Sequence, residues 1–401
     1  MHSIEKSPLR LQIIILLASL SALSAAAVDM YLPAFPAVAI GLDISPGQVQ
    51  QTLTVYLVGL GIGQGLYGPL LDRFGRKPPL LAGLSLFVLG SLAAALSSDF
   101  QSLLLARFLQ AIGAAAGVVA ARAIVTDTCD TQTSARVYSL LTQMMMIAPI
   151  TAPTIGSLVL LYGDWPLIFW ILFLLSAVCF LYTLQHLPET LDIEKRIPLS
   201  VFNIVRSYFK QLCKPRFLLY TLASGFTFGC LFIYVTASPF IFIDFFHLSP
   251  SQFGYIFAVN AAAMIVVGQI NIYFLRYFSA AHLLFSGLVF FIAVGVLLLA
   301  LVYFDWVALW IYWLLLGLAL SMLGLITGNI TAVTMENTQH HAGVSSALMG
   351  SIQFLLAAVI GFFASLIPPA LGTLPVAILS LGLIAIGLCM LAQRYPSHYP
   401  E

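Results

Sequence analysis

The sequence predicts an all-α integral membrane protein with twelve membrane-spanning helices, arranged as two related six-helix halves. Three observations carry this. Apolar residues make up 61% of the 401 residues and charged residues only 8%, and mean hydropathy is +1.03. Soluble domains keep about a quarter of their residues charged. A chain so poor in charge cannot cover a water-facing surface, so its solvent is lipid. Apolar runs of about 20 residues recur along the whole chain, the length that crosses a bilayer core. Finally, the basic residues fall only at alternate breaks between these runs.

Taken in order, the expected spans are 11–40, 49–71, 79–97, 102–126, 136–161, 166–187, 217–243, 251–275, 280–304, 306–332, 342–368 and 373–393. The first follows Lys6 and Arg10, and Ala25-Ala26-Ala27 resembles a signal-peptide cleavage site. The apolar stretch nevertheless runs on to Ala39, so a retained span is expected. The breaks are turn-like: Asp43-Ile-Ser-Pro46, Ser97-Ser98-Asp99, Gly163-Asp164, Leu248-Ser249-Pro250 and Phe304-Asp305. The one long polar stretch, Pro188–Arg216, divides the chain into an N-terminal bundle (1–187), a linker (188–216) and a C-terminal bundle (217–401).

Of the 16 Lys and Arg, all but Arg107 and Arg122 lie outside the spans, Arg136 being taken with the fourth break as the boundary residue of the fifth span. They sit at the N-terminus, in the second, fourth and eighth breaks, in the linker and at the C-terminus (Arg394); the odd-numbered breaks have none. The positive-inside rule then places both termini and the linker in the cytoplasm and requires an even number of spans. Two short strings recur 205 residues apart, Leu17-Ala18-Ser19 as Leu222-Ala223-Ser224 and Gly63-Gln64 as Gly268-Gln269. With the six-plus-six layout they point to duplication, and two such halves rocking about a central site are a common transporter design.

Several function classes drop out. A net charge of +1 argues against nucleic acid as a partner. The five cysteines (Cys129, Cys179, Cys213, Cys230, Cys389) are scattered and contain no Cys-x-x-Cys, so neither a disulfide framework nor a metal site is expected. A membrane enzyme needs a nucleophile, base or metal constellation, and none is visible. His340 and His341 lie in a loop and point to nothing specific.

Four features carry chemistry. Asp29, in Asp29-Met30-Tyr31-Leu32-Pro33, is the one acidic residue placed inside a span. A buried carboxylate costs several kcal/mol and is normally functional or paired; it can take up a proton on one side and release it on the other. The structural alternative is an aspartate capping a helix broken near Pro33 and Pro36. Arg107 lies five residues inside the fourth span, ~7 Å deep at about 1.5 Å per residue, where it can hold Asp29 ionised in one conformation; the alternative is snorkelling to the headgroups. Arg122, nearer the cytoplasmic end, is read as structural. Third, Gly65-Leu-Tyr-Gly68-Pro69-Leu-Leu-Asp72-Arg73-Phe-Gly75-Arg76-Lys77 reads as a gate latch. Its small residues favour close helix packing, and Arg73 and Arg76 can pair with carboxylates at helix ends such as Asp127. Fourth, Pro149 and Pro153 in Ala148-Pro149-Ile-Thr-Ala-Pro153-Thr-Ile-Gly156-Ser157 are suited to bending the fifth span. Polar and aromatic residues in the spans (Tyr31, Tyr56, Gln64, Gln143, Tyr234, Tyr255, Asn260, Asn329, Gln353) are candidates for a broad pocket that takes amphiphilic small molecules, with Met144-Met145-Met146 as adaptable surface.

These motifs resemble the major facilitator superfamily. Gly68-x3-Asp72-Arg73-x-Gly75-Arg76-Lys77 is similar to its loop signature, and Arg107 with Gln110 and Gly113 to the fourth-span motif of its proton-driven antiporters. Asp29-Met-Tyr-Leu-Pro33, Ser224-Gly225-Phe226 and Ser238-Pro239-Phe240 resemble the bicyclomycin/chloramphenicol resistance branch of drug:proton antiporters. The resemblance implies an inner-membrane exporter of drugs or metabolites, with Asp29 and Arg107 at the coupling site. Protons are then the coupling ion, and no other cofactor is needed. A monomer in the lipid bilayer with a small-molecule substrate is expected; a proton-coupled exporter or importer of a metabolite or siderophore is the alternative. Three departures stand out. Ala152-Pro153 and Gly156-Ser157 replace the Gly-Pro and Gly-Gly of the fifth-span antiporter motif, the eighth break has only Arg276 in place of a second loop motif, and a further acid found in the first span of some relatives is absent.

Overall fold

The computed structural model describes residues 11–129, 131–196, 201–336 and 342–395. Among these the regular elements are all helical. In chain order they are α1 (Leu11–Asp29), a 3-10 turn (Leu32–Ala34), α2 (Phe35–Gly41), α3 (Pro46–Phe74), α4 (Lys77–Ala95), α5 (Phe100–Thr128), α6 (Thr131–Val159) and α7 (Pro166–His186). A 3-10 turn (Ile193–Lys195) and α8 (Val201–Leu212) lead to α9 (Pro215–Pro239), which runs into a π turn (Phe240–Phe245). The chain ends with α10 (Pro250–Phe274), α11 (Ala280–Tyr303), α12 (Leu309–Met335), α13 (Ala342–Ser365) and α14 (Thr373–Ala392).

Ten of the twelve expected spans appear as helices long and apolar enough to cross a membrane. The other two, α3 and α6, are more polar but 29 residues long, roughly 43 Å at ~1.5 Å per residue, and so long enough to cross. The protein is therefore a multi-pass membrane protein. The turn-like breaks work as helix caps. Asp99 accepts from the backbone N–H groups of Gln101 and Ser102, both at 2.9 Å, which satisfies orphan donors at the start of α5.

The duplication shows in local geometry. Ser45 and Gln48 form a capping box at the start of α3, and Ser249 and Gln252 form another at the start of α10. Each box follows a left-handed residue, Asp43 (φ 51°) and His247 (φ 55°). The first helix of each half also ends in irregular backbone: α1 stops at Asp29, and α9 runs into its π turn after Pro239.

The chain packs as two units. The first comprises residues up to Ala34 together with Val55–Val201. In it α4 packs on α5 and α7, and α1 packs on α5 and α6. The second comprises Phe35–Thr54 and Phe202–Glu401, so the first bundle lends it α2 and the start of α3. There α9 packs on α12, α13 and α14, and α10 on α12. The Phe35 ring lies 5.8 Å from Phe240, and Gln51 donates to the Ser365 hydroxyl at 3.3 Å. Lys6, Arg10, His340, His341 and the Met144–Met146 side chains lie outside the described residues.

Candidate functional site

The first unit buries a charge in a ring of aromatics. Arg107, on α5, is fully buried. Its guanidinium carbon lies 4.3 Å from the Tyr56 ring centroid, 5.0 Å from Tyr31 and 5.5 Å from Phe169. Such ring faces attract a cation and replace part of its lost hydration. Nη1 donates to Gln110 Oε1, Gln110 Nε2 donates to Ser91 Oγ at 2.8 Å, and Ser91 donates to the Phe87 carbonyl. This chain runs into α4 and fixes one side of the guanidinium. The other side, the Nε/Nη2 edge, has no hydrogen-bond partner. That edge is the fork that grips a carboxylate or carbonyl group.

Asp29 ends α1 and is buried, with 7% of its surface exposed. Beyond it the helix is broken by a turn inside the first span (Leu11–Gly41): Pro33 falls in the 3-10 turn and Pro36 in the first turn of α2, where the sequence reading allowed a break. Among the described residues Asp29 forms no ion pair, with Arg107 or any other cation. Tyr56, whose hydroxyl donates to the Ser24 carbonyl at 3.2 Å, lies within electrostatic reach of both Asp29 and Arg107. Gly156 on α6 presses on the broken segment: a Cβ there would run into the Met30 carbonyl. The helix carries both Pro149 and Pro153 without interruption.

A latch forms at the far end of α3. Arg76 Nε and Nη2 grip Asp127 at 2.7 and 3.3 Å, and Nη1 holds Asp72 at 2.6 Å. Burial pushes the Arg76 pKa down, but the two carboxylates outweigh it and hold the group above its ordinary value. Glu189, just beyond α7, accepts from the backbone N–H groups of Arg76 (2.7 Å) and Lys77 (3.2 Å) and from those of Thr190 and Leu191. Partial burial raises its pKa, and these four N–H groups more than offset that, leaving it below the usual value. Gly75 makes the turn at φ 93°, a conformation that favours glycine. Arg73 is exposed and, among the described residues, makes no ion pair; the pairing expected of both arginines belongs to Arg76. Gly68 faces open space rather than a neighbouring helix. The close approach lies two turns earlier, where Gly59 and Gly63 meet Ala111 and Ala115 of α5. Arg122 is exposed.

The second unit sorts the pocket candidates. Trp313 Nε1 donates to Asn260 Oδ1 at 2.9 Å, and Asn260 Nδ2 donates to the Tyr234 hydroxyl at 3.0 Å. Tyr234 stands just before the irregular end of α9, as Asp29 ends α1. Two other candidates sit apart from this group. Asn329 is occupied by a reciprocal amide pair with Asn271 and by the Leu325 carbonyl, so it clips α10 to α12. Tyr255 is 63% exposed and shares an outward stripe with Val259, Val266 and Ile270, away from buried Asn260. Gln64 and Gln353 are half-buried, and Gln143 is exposed. Glu189, Phe169, Trp313 and Asn271 were missed. Glu189 alone left a signal, an acid directly after a span on the side that collects basic residues. Among the described residues no cluster of metal-ligating side chains occurs.

The family model described as Major Facilitator Superfamily matches residues 17–362. The chain is 35% identical over 366 residues to the uncharacterized MFS-type transporter YdgK of Bacillus subtilis (strain 168), covering 88% of each chain. It is 33% identical over 352 residues to a bicyclomycin resistance protein homolog of Haemophilus influenzae, covering 87% of each. In fold it is similar to a partially occluded, inward-open structure of the xylose transporter XylE from E. coli, with TM-score 0.73 and 12% identity, over 95% of this chain and 97% of the other.

Proposed function

The chain belongs to the Major Facilitator Superfamily, and from that premise we propose that it is a proton-driven exporter of amphiphilic small molecules. It is a membrane transporter and not an enzyme. The observation that carries the proposal is a buried Asp29 that forms no ion pair among the described residues, together with a caged Arg107 whose buried Nε/Nη2 edge has no hydrogen-bond partner. An ionised carboxylate buried without a partner costs several kcal/mol. Protonation removes that cost, and so does docking on the guanidinium fork. A proton-coupled cycle alternates between those two states. Substrates of the chloramphenicol or bicyclomycin kind suit the site, because their carbonyl and hydroxyl oxygens can occupy the same fork when Asp29 is neutral. Similarity to a bicyclomycin resistance homolog supports export of this class.

In this reading the protein works as a monomer in a bacterial inner membrane, with both termini and the linker in the cytoplasm. Tyr31 and Tyr56, beside Arg107, contact substrate in the first unit, and the Arg76 latch holds the cytoplasmic end of that unit. A pH unit supplies about 1.4 kcal/mol per proton and 100 mV about 2.3 kcal/mol per charge. One proton exchanged for a neutral molecule thus sustains a gradient of a few hundred-fold, whereas a monovalent cation retains only about tenfold. With one buried carboxylate, neutral or zwitterionic cargo is best served.

The test is transport in reconstituted vesicles with an imposed pH gradient, after a susceptibility panel in a pump-deficient host has identified a substrate. Wild type moves the substrate uphill. The Asp29→Asn variant is expected to equilibrate it downhill only; uphill movement by that variant would sink the proposal.

A further inference from the structure

The linker helix α8 is not accounted for by transport. Tyr208 and Leu212 on one face pack against Phe217, at the start of α9, and against Leu348 and Met349 of α13. Only Cys213 and Lys214 separate α8 from α9. The helix therefore lies beside the point where two membrane helices leave the bilayer, at the boundary between hydrocarbon and water. On its other face Arg206 and Lys210, one turn apart, are exposed among the described residues, and between them and the packed stripe Phe209 is 67% exposed.

From Ile197 to Arg216 the sequence has four basic residues (Arg206, Lys210, Lys214, Arg216) and no acidic one. Arg216 is already committed, bonding Glu336 at 3.1 Å and lying over the Tyr220 ring. Arg206 and Lys210 have no ion pair among the described residues. An exposed phenyl ring beside two cations that make no ion pair among the described residues, on a helix at the bilayer boundary, matches an interfacial lipid contact: the ring enters the headgroup–acyl boundary and the cations reach phosphate.

We infer that the exposed face of α8 is a docking surface for anionic phospholipid headgroups, with Arg206 and Lys210 as phosphate contacts and Phe209 as the interfacial anchor. The inference depends on where α8 lies, not on the transport reading.

Native mass spectrometry of the purified full chain, offered equal amounts of phosphatidylglycerol and phosphatidylcholine with matched acyl chains, tests it. Wild type is expected to retain phosphatidylglycerol preferentially, and the preference should weaken with added salt. At about fivefold per basic residue, R206Q/K210Q should lose roughly thirtyfold of that preference, and R206K/K210R should keep it. F209S should weaken both lipids alike and leave the ratio unchanged, and inorganic phosphate should not displace the lipid. Equal retention of the two lipids by wild type, an unchanged ratio in R206Q/K210Q, displacement by phosphate, or a dimer that F209S dissociates would each overturn the inference, the last by showing that a second copy covers this face.

Discussion

Two glycines of the signature, Gly68 and Gly75, are expected to respond very differently to one added methyl group. Gly75 adopts φ 93°, and an L residue forced toward the left-handed region costs about 1–2 kcal/mol. The new Cβ would also overlap the Glu189 carboxylate and approach Arg196 Nη2 to 2.8 Å. To make room, Glu189 must give up its bonds to the Arg76 and Lys77 N–H groups. Hydrogen bonds to a charged group are worth about 1.5–3 kcal/mol when buried, and roughly half of that at this exposed site. Gly75→Ala should therefore cost about 3 kcal/mol. At Gly68 a Cβ meets nothing within 4 Å outside its chain neighbours. Alanine there gains about 1 kcal/mol of helix propensity, offset by crowding against the Pro69 ring, so the net effect is about zero. Heating each variant in detergent and scoring the monodisperse fraction reads the difference. Gly75→Ala should lose roughly 6–12 °C, at ~2–4 °C per kcal/mol for a unit this size, while Gly68→Ala stays near wild type. In a double-mutant cycle with Glu189→Ala the cost at Gly75 should shrink. Equal shifts for the two alanines, or full additivity with Glu189→Ala, would refute the reasoning.

Asn271→Leu and Asn329→Leu should each cost about 1–3 kcal/mol by stranding the buried partner, while the double variant costs less than their sum; strict additivity in the same heating assay would break the clip. Glu189 has a folded pKa below its ordinary 4.5, so its contribution is complete above that pH. It fades as pH falls through the lower folded value, because the unfolded chain takes up the proton first. Heat stability measured from neutral pH downward should show an acid-side loss that is smaller in Glu189→Gln; an unchanged profile would count against the four N–H contacts.

Asp29, Arg107 and the Arg76 latch were legible in the sequence because charge is conspicuous in hydrocarbon: few residues carry it, and each must be paired, caged or used. The number of spans and the break positions were legible for the same reason, since lipid allows only apolar helices of sufficient length and turn residues between them. What each polar group faces was not legible. Asn260 and Asn329 look alike in sequence. One joins Tyr234 and Trp313, the other closes on Asn271, and only the rotation of α10 against α12 separates them. Tyr255 lies five residues from Asn260, yet helical rotation turns it outward.

The solvent, the span count and the short roster of buried charges follow from composition and from spacing along a single chain, and need no knowledge of packing. Tertiary packing placed Arg107 among three aromatic rings with no hydrogen-bond partner on its Nε/Nη2 edge, and left Asp29 without an ion pair among the described residues. It also decided that Glu189, far along the chain, closes the turn at Gly75. Those outcomes depend on which helix faces pack together, and packing is set by shape complementarity among residues far apart in the sequence.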